Sequence, residues 1–137
     1  MPQMRVPYDP TVGPIIEAAI GFPISRCGPG VSSAVLPVKL LVDTGARSTH
    51  ISAAVATRLR LPIVGYRPLR SSTQTVMVDV FVGDLTFPGM IGVSFSDLQL
   101  PELPNPSPTY TGVLGRDVMD QGALRLDGRT RELILTF

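Results

Sequence analysis

Turn-forming residues divide this chain into short segments and so limit the folds open to it. The 137 residues include 13 Gly and 14 Pro. Between them lie short runs rich in Val, Ile, Leu, Phe and Thr, which is typical of strands joined by tight turns. Because the length also suits one domain, we predict a single, mostly-β domain.

Seven strands are expected from these runs. The most regular is 74–82, where valines alternate with other side chains. The others are 14–22, 33–42, 85–93, 110–114, 124–126 and 132–137. Turns are expected at Gly83-Asp84 and at Asp127-Gly128.

Two helices and an arm complete the expected organisation. Ser52–Arg60 is the best helix candidate, because its first residue can cap it and Pro62 follows its end. A short second helix is expected over 116–121. The Pro-rich residues 1–11 are expected to form an N-terminal arm, with 12–137 as the folded domain.

Charge and cysteine content argue against several kinds of partner. Twelve basic and 11 acidic residues leave a net charge of +1, which gives no reason to expect nucleic acid or an anionic membrane. Cys27 is the only cysteine, so neither an intrachain disulfide nor a cysteine-based metal site is expected. No segment approaches the roughly 18 unbroken apolar residues of a membrane helix. We expect a soluble, cytoplasmic protein with no metal or other cofactor.

Asp43-Thr44-Gly45-Ala46 follows an apolar segment that ends at Val42. An acid at the end of an apolar strand costs free energy unless it is paired or hydrogen-bonded, which favours a special role for Asp43. Thr44 offers a hydroxyl, Gly45 permits close backbone approach, and Ala46 fits a crowded turn. The tripeptide alone also fits an ordinary strand-to-turn segment, so its context has to decide.

Four segments supply that context: Leu41–Ala46, Leu59–Pro62, Gly112–Asp117 and Glu132–Phe137. In this order and spacing they resemble the retropepsin-like aspartic proteases, single-domain relatives of retroviral proteases, over residues 12–137. The resemblance implies a closed, β-barrel-like sheet with one or two short helices, and Asp43 as the catalytic carboxylate. Its supporting residues would be Thr44, Gly45 and Ala46, with Val113, Leu114 and Gly115 packed behind the active site.

Hydrolysis by this route needs two carboxylates that share one proton. One activates a water and the other donates to the scissile carbonyl. The chain has a single Asp-Thr-Gly, and Asp117 lacks that order, so the second Asp43 would come from another copy on a two-fold axis. The sequence predicts a homodimeric aspartic endopeptidase acting on extended peptides. The alternative is an inactive module of the same fold that dimerises or binds a peptide.

The resemblance also implies a flap, a hairpin that closes over the substrate, with its tip at Ser71, Ser72, Thr73 and Gln74. The tip holds no glycine, so an ordinary polar hairpin is the alternative. Arg116 would pair with an acid just after the catalytic motif, yet the matching stretch 46–48 has none. His50, the only histidine, lacks the partners that a catalytic base or a zinc site needs.

The chain ends in a segment with apolar side chains on both faces. Leu133, Leu135 and Phe137 fall on one face, and Ile134 lies on the other. An exposed terminal strand of this kind needs a cover. In the proteases that the chain resembles, the terminal strands of both subunits interleave, which implies that Leu133, Leu135 and Phe137 lie at the dimer interface.

Overall fold

The computed structural model describes residues 1–31 and 33–137. Ten strands, two α-helices and a 3₁₀ turn at Ile24–Arg26 make up the fold. The strands are β1 Gln3–Pro7, β2 Ile15–Gly21, β3 Val35–Val42, β4 His50–Ile51, β5 Ile63–Arg70, β6 Thr75–Thr86, β7 Ser94–Pro101, β8 Gly112–Leu114, β9 Ala123–Asp127 and β10 Glu132–Thr136. The helices are α1 Ala53–Leu59 and α2 Arg116–Met119. The predicted mostly-β domain with two short helices is confirmed.

The larger sheet has the strand order β4-β8-β3-β2-β6-β5, with β7 paired to β6. Within the described residues, this path does not close into a barrel. β3 and β8 run parallel, with Leu41 opposite Val113 and Val42 opposite Leu114. Because parallel neighbours end at the same edge of a sheet, the residues that follow Val42 and Leu114 lie side by side.

The smaller sheet has the order β1-β10-β9. The segment expected as an arm therefore contains a strand, since Gln3 pairs with Thr136 and Pro7 with Glu132. The resemblance implies that the C-terminal strand pairs with that of a second subunit, but both edges of β10 are already occupied within the chain, by β1 and β9. Leu133 and Leu135 are fully buried in the chain's own core.

Helix α1 covers one side of this core. Ser52 accepts a hydrogen bond from the backbone N–H of Val55 at 3.3 Å, which caps the helix as predicted. Val55, Ala56 and Leu59 face inward and are buried. Burial of a Val or Leu side chain, as at Val55 and Leu59, stabilises the fold by about 1.5–3 kcal/mol. No helix among the described residues is long and apolar enough to cross a bilayer.

Strand β6 runs straight through the turn expected at Gly83-Asp84, so that expectation is wrong. The Asp84 carboxylate accepts hydrogen bonds from the backbone N–H groups of Ile24 and Asp97, both at 2.9 Å. These bonds hold the acid within the sheet at a register shift between Gly83 and Leu85. The strand expected at 85–93 is also misplaced, because the chain turns after Thr86 and the next strand begins at Ser94.

Candidate active site

Asp43 directly follows β3, and its side chain is exposed to solvent. Its backbone N–H donates to the carbonyl of Leu114 at 3.1 Å, which ties it to the end of β8. Its Oδ1 accepts a hydrogen bond from the N–H of Gly45 at 2.9 Å. The N–H of Ala46 donates to the Asp43 carbonyl at 3.1 Å and closes the turn. Backbone groups therefore orient a hydrated carboxylate at the sheet edge.

The loop after Asp43 docks on the start of α2. The Ala46 carbonyl accepts from the N–H of Arg116 at 2.9 Å, and the Arg47 carbonyl accepts from the N–H of Asp117 at 3.2 Å. Thr44 and Gly45 are exposed, whereas Ala46 is half-buried. Arg116 takes part in this contact through its backbone N–H.

A buried threonine reinforces this docking. Thr49 is fully buried, and its Oγ1 donates to Oδ1 of Asp117 at 2.8 Å. The Thr49 N–H also reaches the Asp117 carboxylate at 3.0 Å, and the N–H of Gly115 donates to Thr49 Oγ1 at 3.1 Å. Sequence reasoning considered Asp117 only as a second catalytic acid and missed Thr49. An acid in the first turn of the expected helix was the available signal.

The triplet Val113-Leu114-Gly115 lies at the end of β8 beside β3, and all three residues are buried. Two glycines allow the loop and β8 to approach closely. A Cβ at Gly112 would lie 2.5 Å from the His50 carbonyl oxygen, and one at Gly115 would overlap the Ser48 backbone. Glycine is therefore required at both positions for this packing.

A cleft of about 730 Å³ separates the Asp43 loop from the β5–β6 hairpin. Asp43, Gly45, Ala46 and Val113 line one side. Residues 67–71 line the other. Of the four residues assigned to the flap tip, only Ser71 is among the lining residues. Ser72, Thr73 and Gln74 complete an exposed turn, in which the N–H of Ser71 donates to the Gln74 carbonyl at 2.9 Å.

His50 and Arg67 both reach Ser48 inside the cleft. The His50 Nδ1 lies 2.7 Å from the Ser48 carbonyl oxygen, and the Arg67 Nη2 donates to Ser48 Oγ at 3.0 Å. Burial lowers the pKa of His50 below its ordinary value of 6.5. The Ser48 hydrogen bond opposes this effect, while the charge of Arg67 adds to it. Sequence reasoning did not identify Arg67 or Ser48.

The predicted interface residues lie apart from this cleft. Leu133 and Leu135 belong to the core cluster, and Phe137 is half-buried against Phe87 and Phe95. The ring centroid of Phe137 lies 5.9 Å from that of Phe87 and 5.2 Å from that of Phe95. Within residues 1–31 and 33–137, no three His, Cys, Asp or Glu residues come together in a way that could hold a metal ion.

Comparison with known proteins agrees with this geometry. The sequence profile described as "gag-polyprotein putative aspartyl protease" matches residues 33–121, which include Asp43, the helix α1 and Gly115. A crystal structure of a retropepsin-like aspartic protease from Rickettsia conorii superposes with a TM-score of 0.66 at 17% identity. The match covers 98% of this chain and 90% of the rickettsial one, and it shows a shared fold. No sequence among the curated proteins matches the chain. With a fold of the retropepsin type and a profile match over more than half its length, the chain belongs to this gag-polyprotein aspartyl protease family.

Proposed function

We propose that the chain is an aspartic endopeptidase that is active as a homodimer, with one Asp43 from each subunit forming the catalytic pair. The observation that carries this proposal is the exposed carboxylate of Asp43 in the cleft. Asp43 is the only acid among the residues that line the cleft. A mechanism that shares one proton between two carboxylates therefore needs the second from another copy of the chain.

In such a pair, one carboxyl holds the proton and donates it to the scissile carbonyl. The other is ionised and takes a proton from the attacking water. The N–H of Gly45 donates to Oδ1 of Asp43, so a backbone group holds one oxygen of the carboxylate in place. This fixed orientation supports catalysis because reacting groups held in place need no reorganisation during the reaction.

The substrate is proposed to be an extended polypeptide segment. The cleft is bounded by strand β5, whose backbone can bind a peptide in the manner of an added strand. Val113 and Leu103 supply apolar surface near Asp43. We therefore expect apolar side chains next to the scissile bond and backbone hydrogen bonds along the peptide.

The dimer is proposed to form through β9. Because β10 is an inner strand, only β1 and β9 offer an open backbone edge in the smaller sheet. Pro2 precedes β1 and Pro7 is its last residue, and proline discourages pairing at a sheet edge. On β9, Leu126 is 53% exposed. Antiparallel pairing of two β9 strands would cover it and continue the sheet across a two-fold axis.

Substitution of Asp43 tests the proposal. Asp43→Asn should abolish hydrolysis of a denatured protein substrate while leaving the circular dichroism spectrum unchanged, because the amide cannot share a proton. The matched control is Asp120→Asn, an exposed acid outside the cleft. A fully active Asp43→Asn chain, with contaminating proteases excluded, would refute the proposal.

Mixing experiments test whether two subunits share one site. With a threefold excess of Asp43→Asn subunits, random exchange leaves about a quarter of the wild-type subunits with a wild-type partner. The rate should fall to that fraction. A rate that does not change on mixing would mean that each subunit carries a complete site.

A non-catalytic peptide-binding module is the second candidate. The hairpin turn at 71–74 favours it, because this tip lacks the glycine that close approach of backbone to a substrate commonly uses. Such a module would bind extended peptides without cleaving them, and Asp43→Asn would leave binding unaffected.

A further inference from the structure

Three arginines line the cleft together with Asp43: Arg47, Arg67 and Arg70. The ion pairs of the described chain lie elsewhere, joining Arg5 to Glu132 and two arginines to Asp127. Within residues 1–31 and 33–137, none of the three cleft arginines has a carboxylate within 4.0 Å. The cleft is therefore positively charged, although the whole chain is almost neutral.

Arg67 is the best positioned of the three to contact a ligand. It lies on β5 and is half-buried, and its Nη2 donates to the hydroxyl of Ser48 at 3.0 Å. A guanidinium carries five N–H donors, and a neutral hydroxyl leaves its charge uncompensated. Because Ser48 already holds the side chain, binding an anion would cost little additional side-chain entropy. A carboxylate matches the planar fork of an arginine better than any neutral acceptor.

The position of Arg67 places this charge beside the reacting groups. Ser48 lies in the loop that begins at Asp43, and its carbonyl contacts His50 at 2.7 Å. Asp43, His50 and Arg67 all line the same cleft. A peptide that passes Asp43 therefore also passes the guanidinium of Arg67.

We propose that the cleft selects peptides with an Asp or Glu side chain close to the scissile bond, and that Arg67 determines this preference. The proposal rests on the proposed protease function and adds an acidic position to the apolar residues expected next to the bond. Arg47 and Arg70 are exposed and attract the same peptides over a longer range, which salt screens.

Peptides of one sequence that differ by Glu, Gln or Lys at single positions around the scissile bond test this preference. We expect kcat/KM to favour Glu over Gln by about tenfold at one position, as for a charge-assisted hydrogen bond in a partly buried site. In Arg67→Gln this ratio should approach one. In the control Arg58→Gln, on α1 outside the cleft, it should stay as in the wild type. A wild-type ratio near one at every position, or a ratio that survives Arg67→Gln, overturns the proposal.

Binding to the Asp43→Asn chain separates this proposal from the protease function. Fluorescence anisotropy of labelled, uncleaved peptides should show the same Glu-over-Gln preference, lost when Arg67→Gln is added and reduced at high salt. If the wild type cleaves nothing but this preference holds, the selectivity stands and the protease function fails. If the peptides are cleaved without preference, the selectivity fails and the protease function stands. Absence of both binding and cleavage overturns both.

Discussion

The hydroxyl of Thr49 donates a hydrogen bond to Oδ1 of Asp117 across 2.8 Å and thereby joins the loop of Asp43 to helix α2. The same hydroxyl accepts from the N–H of Gly115 at 3.1 Å. Thr49 is fully buried, so these polar groups depend on each other for their hydrogen bonds. The position of the candidate catalytic loop is thus set by residues outside the cleft.

Asp117→Asn tests this support. The amide nitrogen that replaces one carboxylate oxygen cannot accept the bond that Oδ2 receives from the Thr49 N–H at 3.0 Å. The bonds that Thr49 and Val118 donate to Oδ1 also lose their charged acceptor. We expect a loss of about 1–3 kcal/mol in the free energy of unfolding. Hydrolysis should be reduced but not abolished, in contrast to Asp43→Asn. Urea unfolding checks the stability, with Asp120→Asn as the control, and equal stability of the two variants would contradict the assignment.

Gly115→Ala tests the close approach of β8 to the loop. A methyl group there would overlap the Ser48 backbone, which cannot move without disturbing Thr49. Forced repacking of this kind costs about 1–3 kcal/mol. Gly128→Ala is the matched control, because a Cβ at that position meets no atom within 4 Å. The thermal midpoint should fall in the first variant only. Similar thermal midpoints for both variants would show that the loop around Ser48 can move to accommodate a methyl group at little cost.

His50 should make the stability of the fold depend on pH. Burial lowers the pKa of His50 below 6.5 in the folded chain, with Arg67 adding to the effect and Ser48, Asp117 and Asp43 opposing it. Below pH 6.5, the unfolded chain binds a proton that the folded chain resists. The free energy of unfolding should therefore decrease as the pH falls through 6.5 towards the folded pKa.

The measurement for His50 is urea unfolding at about pH 7.5 and pH 5.5, on either side of its ordinary value. His50→Gln should show a smaller loss of stability between these two conditions than the wild type. His50 is the only histidine, so no other imidazole contributes to the difference. The two chains have the same carboxylates, whose titrations cancel in the comparison. An equal loss in both chains would contradict the prediction.

Leu126→Glu tests the proposed pairing of β9 strands. Two such strands on a two-fold axis would bring the new carboxylates together in a surface that loses its water, which opposes association. Light scattering should report monomers, and hydrolysis should be lost along with the dimer. Ile24→Glu, at a position 69% exposed on the 3₁₀ turn, is the control. A Leu126→Glu chain that stays as dimeric as the wild type would place the interface elsewhere.

Local signals in the sequence were sufficient to locate Asp43 and the elements around it. The apolar run that ends at Val42 predicts β3, and Ser52 marks the start of α1. The alternating valines predict β6, although not its full length. These features depend on residues within a few positions of each other, so a pattern along the chain reveals them.

Features that depend on distant partners could not be predicted in this way. Asp84 has the local signature of a turn, but Ile24 and Asp97 bind its carboxylate within a strand. The alternation of Leu133 and Leu135 was identified correctly, yet these side chains face the chain's own core. The sequence did not indicate that β1 would occupy the free edge of β10, since a Pro-rich terminus gives little strand signal. The contact of Arg67 with Ser48 had no local signature.

The bond between Thr49 and Asp117 spans 68 positions of the chain, and β3 pairs with β8 only after a long crossover. Contacts between residues so distant in sequence carry a large loop-closure entropy and form slowly. The loop of Asp43 therefore reaches its native geometry only once β8 has docked beside β3. Until β8 docks, the Asp43 N–H lacks its partner, the Leu114 carbonyl, so we expect the final orientation of this acid to be one of the later steps of folding.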